Sequence, residues 1–284
     1  MKSLCIKTNN KIIIDYLLNE FQNININETY ITLKSFKHFS NIILHCKIDN
    51  NTLFINTISN ILTKTIIYFY EKQIIKNSIN LNYFYFNSLE KQEIVKNTLE
   101  ILNNYDSVKL KYDLLNNTIF EHLLNHKSLY LNAFINFRLN NYLKLIEEKM
   151  DLAVNQFLIN KEYLEFVNIL KLYINSESVY SQTNHLHLIY KNGNSTIIDD
   201  NNNVISCNDN ITKAKYISDI SFSSNDLALN TLLNLLPKTI TIHLIDEYCD
   251  EFINTLKLIF NDRIKICKDC NICNLYKYKQ SNQK

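Results

Sequence analysis

The sequence predicts an α+β protein in two parts. A predominantly helical unit, residues 1–178, is opened by a small β-α-β-β sheet, and a smaller α/β unit with a mixed sheet (a hairpin plus βαβ) fills 179–284. Three observations carry this. Over residues 134–174, Leu139, Leu143, Ile146, Met150, Ala153 and Phe157, then Leu164, Val167, Leu170 and Ile174, recur at intervals of three and four, so one helical stripe is buried. Beyond Asn175 that period stops and residues 184–207 alternate with a period of two. Residues 239–267 then give strand, helix, strand, and a crossover helix of that length makes the two strands parallel.

In chain order, residues 3–8 alternate as a short strand, and 11–21 form an amphipathic helix with Ile13, Leu17, Leu18 and Phe21 inward. Residues 30–33 and 42–48, β-branched and aromatic, are two further strands. A helix starting at Asn51 runs through Leu53, Ile58, Ile61, Ile66 and Tyr70 and ends near Lys76. The aromatic run 82–86 precedes Ser88, whose hydroxyl can cap a helix over 89–103. In the helical region 107–126, His122 and His126 lie four apart on one face. Glu121 precedes His122 instead of following it, which is not the zinc-protease order, so the pair reads as two half-exposed histidines. Unbroken, 134–174 would span roughly 60 Å at about 1.5 Å per residue. Two helices are therefore expected, parting near 149–151 or at Asn160, with Lys144 and Glu148, and Lys161 and Glu165, paired on the wet face. Arg138, one turn below Tyr142, is expected to lie on that ring or to fork onto a carboxylate.

In the second unit Asn192-Gly193 is the strongest turn signal, because a tight primed turn needs positive φ at both central residues. A two-residue turn pairs Tyr190 with Ser195 and Leu188 with Ile197, and sets His185 opposite Asp200. His185 and His187 share a face, but no third ligand is evident nearby, and a polar sheet face explains them. Ser224 or Asp226 caps a helix that Pro237 stops. Residues 239–244 and 263–267 are strands, and 246–260 a helix with Tyr248, Phe252, Leu256 and Phe260 inward.

The chain of 284 residues is 46% hydrophobic, enough for a substantial core. It has one Gly, one Pro and no Trp, and abundant Asn, Ile and Lys, the mark of AT-rich coding. A net charge of +2 with interspersed signs, and only Arg138 and Arg263 able to make forked contacts, disfavours a nucleic-acid partner. No apolar run has the length of a signal peptide or of the roughly 20 residues of a membrane span, so a cytoplasmic location is expected. Seven cysteines, an odd number with three crowded together, suit metal or thiol chemistry better than a disulfide framework.

Those three are Cys267, Cys270 and Cys273, a C-x2-C-x2-C run directly after a strand. The spacing lets successive sulfurs converge. It suits an Fe–S cluster whose fourth ligand comes from elsewhere, a zinc ion held by three thiolates and a remote ligand, or reversible thiol chemistry, and an ordinary tail is the plain alternative. Parallel strands end on one sheet edge, so His243 or Cys249 is the expected fourth ligand; Cys249, in the first turn of the expected helix, would have its thiolate favoured by the helix dipole.

Phe134-x-x-Phe137-Arg138-Leu139 with Tyr142, Asp151-x-Ala153-Val154, Phe157-Leu158-Ile159 and Lys161-Glu162-Tyr163-x-Glu165-Phe166 form a distinctive series. With the aromatic run 82–86, residues 237–243 and the ending Asp262-Arg263-Ile264-x-Ile266-Cys267-x-x-Cys270-x-x-Cys273, it resembles the YtxC-like sporulation proteins of endospore-forming bacteria. The resemblance covers most of the chain after about residue 60 and departs at Asp269, where the family has Gly. It implies a place in spore formation, in the cytoplasm of mother cell or forespore, and supplies no catalytic residue. No Gly-rich phosphate loop or nucleophile elbow is evident, which favours a non-enzymatic interaction or regulatory protein with a protein partner and a structural or sensing metal. The alternative is a metal- or Fe–S-dependent redox enzyme using the cysteine cluster.

Overall fold

A computed structural model describes residues 2–24, 29–47, 51–176, 183–205, 223–246, 248–267 and 269–278. Ile48, Ser206, Cys207 and Glu247, which fall in expected elements, lie outside the described residues. The fold is α+β, in two compact units, Met1–Ile159 and Asn160–Lys284.

The first unit opens as β1 (Lys2–Thr8), α1 (Lys11–Gln22), β2 (Thr29–Ser35) and β3 (Ser40–Cys46). Leu4, Ile6, Ile42 and Leu44 alternate into the core, and the Asn10 side chain caps α1 by accepting from the N–H groups of Ile12 and Ile13. The sheet order is β2-β3-β1-β4. β4 (Ser128–Tyr130) lies parallel to β1, and its three residues are too few to show alternation in the sequence. The expected helix 51–76 is two, α2 (Asn51–Phe69) and α3 (Glu71–Asn82), parting at Tyr70. α4 (Ser88–Leu102) is capped by Asn87, not Ser88, with Glu90 closing a capping box. α5 (Tyr105–Asn125), α6 (Leu131–Arg138) and α7 (Asn140–Ser176) follow.

α7 does not part at 149–151 or at Asn160. It contains no Gly or Pro, so every i→i−4 bond can form. The lapse in its apolar stripe at Asn160 marks where its residues pass from the first unit to the second, and the real break falls earlier, at Leu139. That break removes the expected contact of Arg138, which is exposed, with Tyr142, which is buried. Tyr142 instead donates its hydroxyl to Glu71 Oε2 at 2.7 Å. Glu71 Oε1 accepts from Lys111 Nζ at 2.9 Å, and Lys111 also donates to Asn103 Oδ1 at 3.0 Å. Glu71, Lys111 and Tyr142 are all buried, an ionic triad within a hydrophobic core.

The second unit holds β5 (His185–Lys191), β6 (Asn194–Ile198), β7 (Thr239–Leu244) and β8 (Ile264–Cys267) in the order β6-β5-β7-β8. The hairpin has the expected register, Tyr190 with Ser195 and Leu188 with Ile197, and both turn residues have positive φ, 49° at Asn192 and 74° at Gly193. A Cβ on Gly193 would meet only Tyr190 Oη at 4.0 Å, so Gly193→Ala costs backbone strain alone. We expect a loss of about 1–2 kcal/mol in urea unfolding; an unchanged midpoint would contradict the turn assignment.

α8 (Ser224–Leu235) is capped by Ser223 in a box with Asp226, one residue before the expected start. α9 (Glu251–Phe260) starts five residues later than expected, because the Asp250 carboxylate accepts from the N–H of Ile253 and fixes the N-cap there. Tyr248 is consequently exposed, while Ile253, Leu256, Ile259 and Phe260 are buried. Arg263 forks onto the carbonyls of Pro237 (3.3 Å) and Ile174 (3.4 Å), tying the end of α7 to the approach of β7.

One sheet face, Leu186, Leu188, Tyr190, Ile240 and Ile242, packs on this unit's core with Leu232, Ile253 and Leu256. The opposite face alternates with it and carries His185, His187 and Ile189 on β5, and Thr241 and His243 on β7. A helix the sequence did not suggest, α10 (Asn271–Tyr278), lies against it, and Ile189, Ile198, Ile245 and Cys273 form a small cluster there with Ile272 and Tyr276.

Candidate metal centre

Parallel register sets His243 of β7 beside Cys267 of β8. The chain then turns, so that Cys270 stands just before α10 and Cys273 falls in its first turn, both returned over the same sheet face. The result is one compact group: His243, Cys267, Cys270 and Cys273 each offer a ligand atom, and all four atoms lie within 4.8 Å of one another. His243 Nδ1 is 3.3 Å from Cys273 Sγ and 3.4 Å from Cys270 Sγ. Cys270 Sγ is 3.7 Å from Cys273 Sγ, which is 3.9 Å from Cys267 Sγ. A tetrahedron with Zn–S bonds of about 2.3 Å and a Zn–N bond of about 2.0–2.1 Å has S···S edges of about 3.8 Å and S···N edges of about 3.6 Å. This His/Cys3 group could hold a metal ion.

Cys249 stands apart from the group. With α9 starting at Glu251, it precedes the helix, and its thiol lies 3.3 Å from Asn254 Oδ1 and 3.1 Å from Lys257 Nζ. Of the two expected fourth ligands, the structure brings only His243 to the three thiols.

Burial lowers the pKa of His243 to about 4, helped by repulsion from His187 and His185, so the imidazole is in its neutral, ligating form. Burial pushes the Cys267 thiol up to about 12, reinforced by hydrogen bonds and repulsion from Cys270 and Cys273, and burial also raises Cys273. Burial acts the same way on Cys270, yet hydrogen bonds from the Cys273 backbone and the Cys267 thiol outweigh it and bring Cys270 down. One thiolate is thus stabilised at the expense of the other two. Three can ionise together only around a cation, whose charge inverts this balance.

A second group lies on the same face. His185 Nδ1 is 2.6 Å and His187 Nε2 3.4 Å from Asp200 Oδ1, and these three could also hold an ion. The Asp200 loop is shaped by Asp199, whose carboxylate accepts from the backbone N–H of Asn201 (2.9 Å) and Asn203 (2.8 Å). The two groups meet where His187 Nδ1 lies 2.9 Å from His243 Nε2. The sequence offers a signal for the hairpin half of this arrangement, the turn that sets His185 against Asp200. For the link to His243 it offers none, because the offset of β5 against β7 depends on the long connection between them. The His122 and His126 rings lie tilted against each other with centroids 4.5 Å apart, and His122 faces the Ser128 carbonyl at 3.3 Å. No third ligand joins them among the described residues.

Residues 56–265 match the sequence profile of the YtxC-like family, about three quarters of the chain. The chain belongs to the YtxC-like family. No curated protein and no solved structure matches it. The span matched to the YtxC-like family contains His185, His187, Asp200, His243 and both arginines, and ends two residues before Cys267. Among the described residues, no helix is long and apolar enough to cross a membrane.

Proposed function

We propose that this YtxC-like protein is a non-enzymatic interaction or regulatory protein of spore formation, acting in the cytoplasm of mother cell or forespore. Its second unit carries a zinc ion on His243, Cys267, Cys270 and Cys273 as a structural or sensing centre. The observation that carries the metal reading is the closeness of four ligand atoms to the edges of one zinc tetrahedron. Four protein ligands leave no open position for substrate, which favours a structural or sensing role over catalysis. In a [4Fe–4S] cluster each thiolate binds its own iron and points outward, so the sulfurs would stand farther apart than these do. The partner half of the reading is supported by Leu81, Phe84, Tyr85 and Leu89 around the turn between α3 and α4, each more than 60% exposed.

Protein purified without oxygen should be colourless and contain about one zinc per chain, and Cys270→Ser should lose it. Brown protein that bleaches in air would replace zinc by an Fe–S cluster and favour the redox-enzyme reading. Neither metal, together with normal spores from a Cys270→Ser strain, would leave the cysteines an ordinary tail.

A further inference from the structure

On the proposed zinc reading, we infer that His187 and Asp200 are positioning residues for the metal, a hydrogen-bonded relay that fixes which nitrogen of His243 faces the thiolates. Each step follows from a distance. His243 Nδ1 faces Cys273 and Cys270 at 3.3 and 3.4 Å, so as a ligand it carries no proton, and the proton of the neutral ring sits on Nε2. That nitrogen is 2.9 Å from His187 Nδ1 and donates to it. An accepting Nδ1 puts the proton of His187 on Nε2, which lies 3.4 Å from Asp200 Oδ1. The same oxygen accepts from His185 Nδ1 at 2.6 Å, and His185 Nε2 accepts from the Thr241 hydroxyl at 2.9 Å. Every hydrogen along this path has one donor and one acceptor.

The opposite tautomer of His187 would set two N–H groups against each other at 2.9 Å and turn a bare lone pair toward a carboxylate. Asp200 therefore selects the tautomer of His187, and His187 that of His243. This is the second layer that metal-bound histidines generally have, with a second imidazole inserted between ligand and carboxylate. His243 is 2% exposed, so no water can take over the task, whereas Asp200 lies at the surface. His185 packs edge-on against the His187 ring, centroids 4.3 Å apart, but its hydrogen bonds go to Asp200 and Thr241, so it stands off the path to His243.

The test is zinc affinity of the full chain, by chelator competition, with cobalt(II) as a spectroscopic stand-in. Asp200→Ala and His187→Leu should each weaken zinc binding about 10–100-fold. The thiolate-to-cobalt absorption should stay in place, since the four ligands are unchanged. His187→Gln, whose side-chain carbonyl can accept the same N–H, should recover most of the affinity, and His185→Ala should change it little. A merely structural role for His187 would give no such rescue. Affinity unchanged in both Asp200→Ala and His187→Leu overturns the inference. So does a wild-type chain with two zinc ions, one of which is lost in Asp200→Ala and in His185→Ala, because those residues would then be ligands. A wild-type chain that binds no zinc removes the metal reading itself, and the relay with it.

Discussion

Lys111→Met should come close to unfolding the first unit, with an expected loss of about 3–5 kcal/mol, the usual cost of removing one partner of a buried ion pair. The cause is what it leaves behind. Glu71 and Lys111 side chains are 5% and 3% exposed, so without the ammonium the carboxylate keeps only the Tyr142 hydroxyl in an apolar core. Domains are stable by only about 5–15 kcal/mol in total, so one such change consumes much of the margin. Pairing Lys111→Met with Glu71→Leu should recover most of the loss, because a buried pair replaced whole by apolar groups is often neutral. Urea unfolding of both variants decides this. A single variant within 1 kcal/mol of wild type would mean that Glu71 finds water or a new partner.

On the zinc reading, removing the metal should have the largest effect on the second unit. Structural zinc contributes about 10–16 kcal/mol to small zinc-binding peptides, and here it would hold one strand end and one short helix. Without it, α10 keeps the small apolar cluster around Ile189, Ile198 and Ile245 and the bond from Lys191 Nζ to the Tyr276 carbonyl at 2.7 Å. After chelation, hydrogen exchange should quicken first in β8 and α10, and the second unit should melt at a lower temperature, with zinc restoring both. An identical melting curve with and without chelator, in protein shown to have carried zinc, would make the ion a passenger.

How much of this was legible in the sequence depended on the range of the interaction. The hairpin register and the order of strands and helix around 239–267 are set by neighbours, and the sequence predicts them. Helix starts differ where a neighbouring side chain makes the better cap: Asn87 caps in place of Ser88 and Ser223 in place of Ser224, and Asp250 moves the start expected at 246 to Glu251. Cys249, a candidate ligand from the shared sheet edge and the expected helix start, stands apart because Asp250 sets that start at Glu251. The continuity of α7 was missed because a lapsed stripe changes which core a helix faces, not its backbone bonding. The triad at Glu71 and the link from His187 to His243 lay out of reach, since they join residues 40, 71 and 56 positions apart.

That last separation bears on the order of assembly. Tyr190 and Ser195 pair across a turn, and such a hairpin forms in about 1–10 μs. His185 meets Thr239 only after the intervening chain has been made, and Cys273 comes 75 residues after Ile198, the end of the hairpin (273 − 198). At about 5–20 residues per second, translation of that stretch takes about 4–15 s. For the first part of that interval the nascent hairpin holds His187 with no His243 to meet, and the three thiols are complete only at its end. On the zinc reading the ion would therefore enter at the end, as the closing clasp of a sheet already paired, and a cell short of metal would stall this chain at its last step.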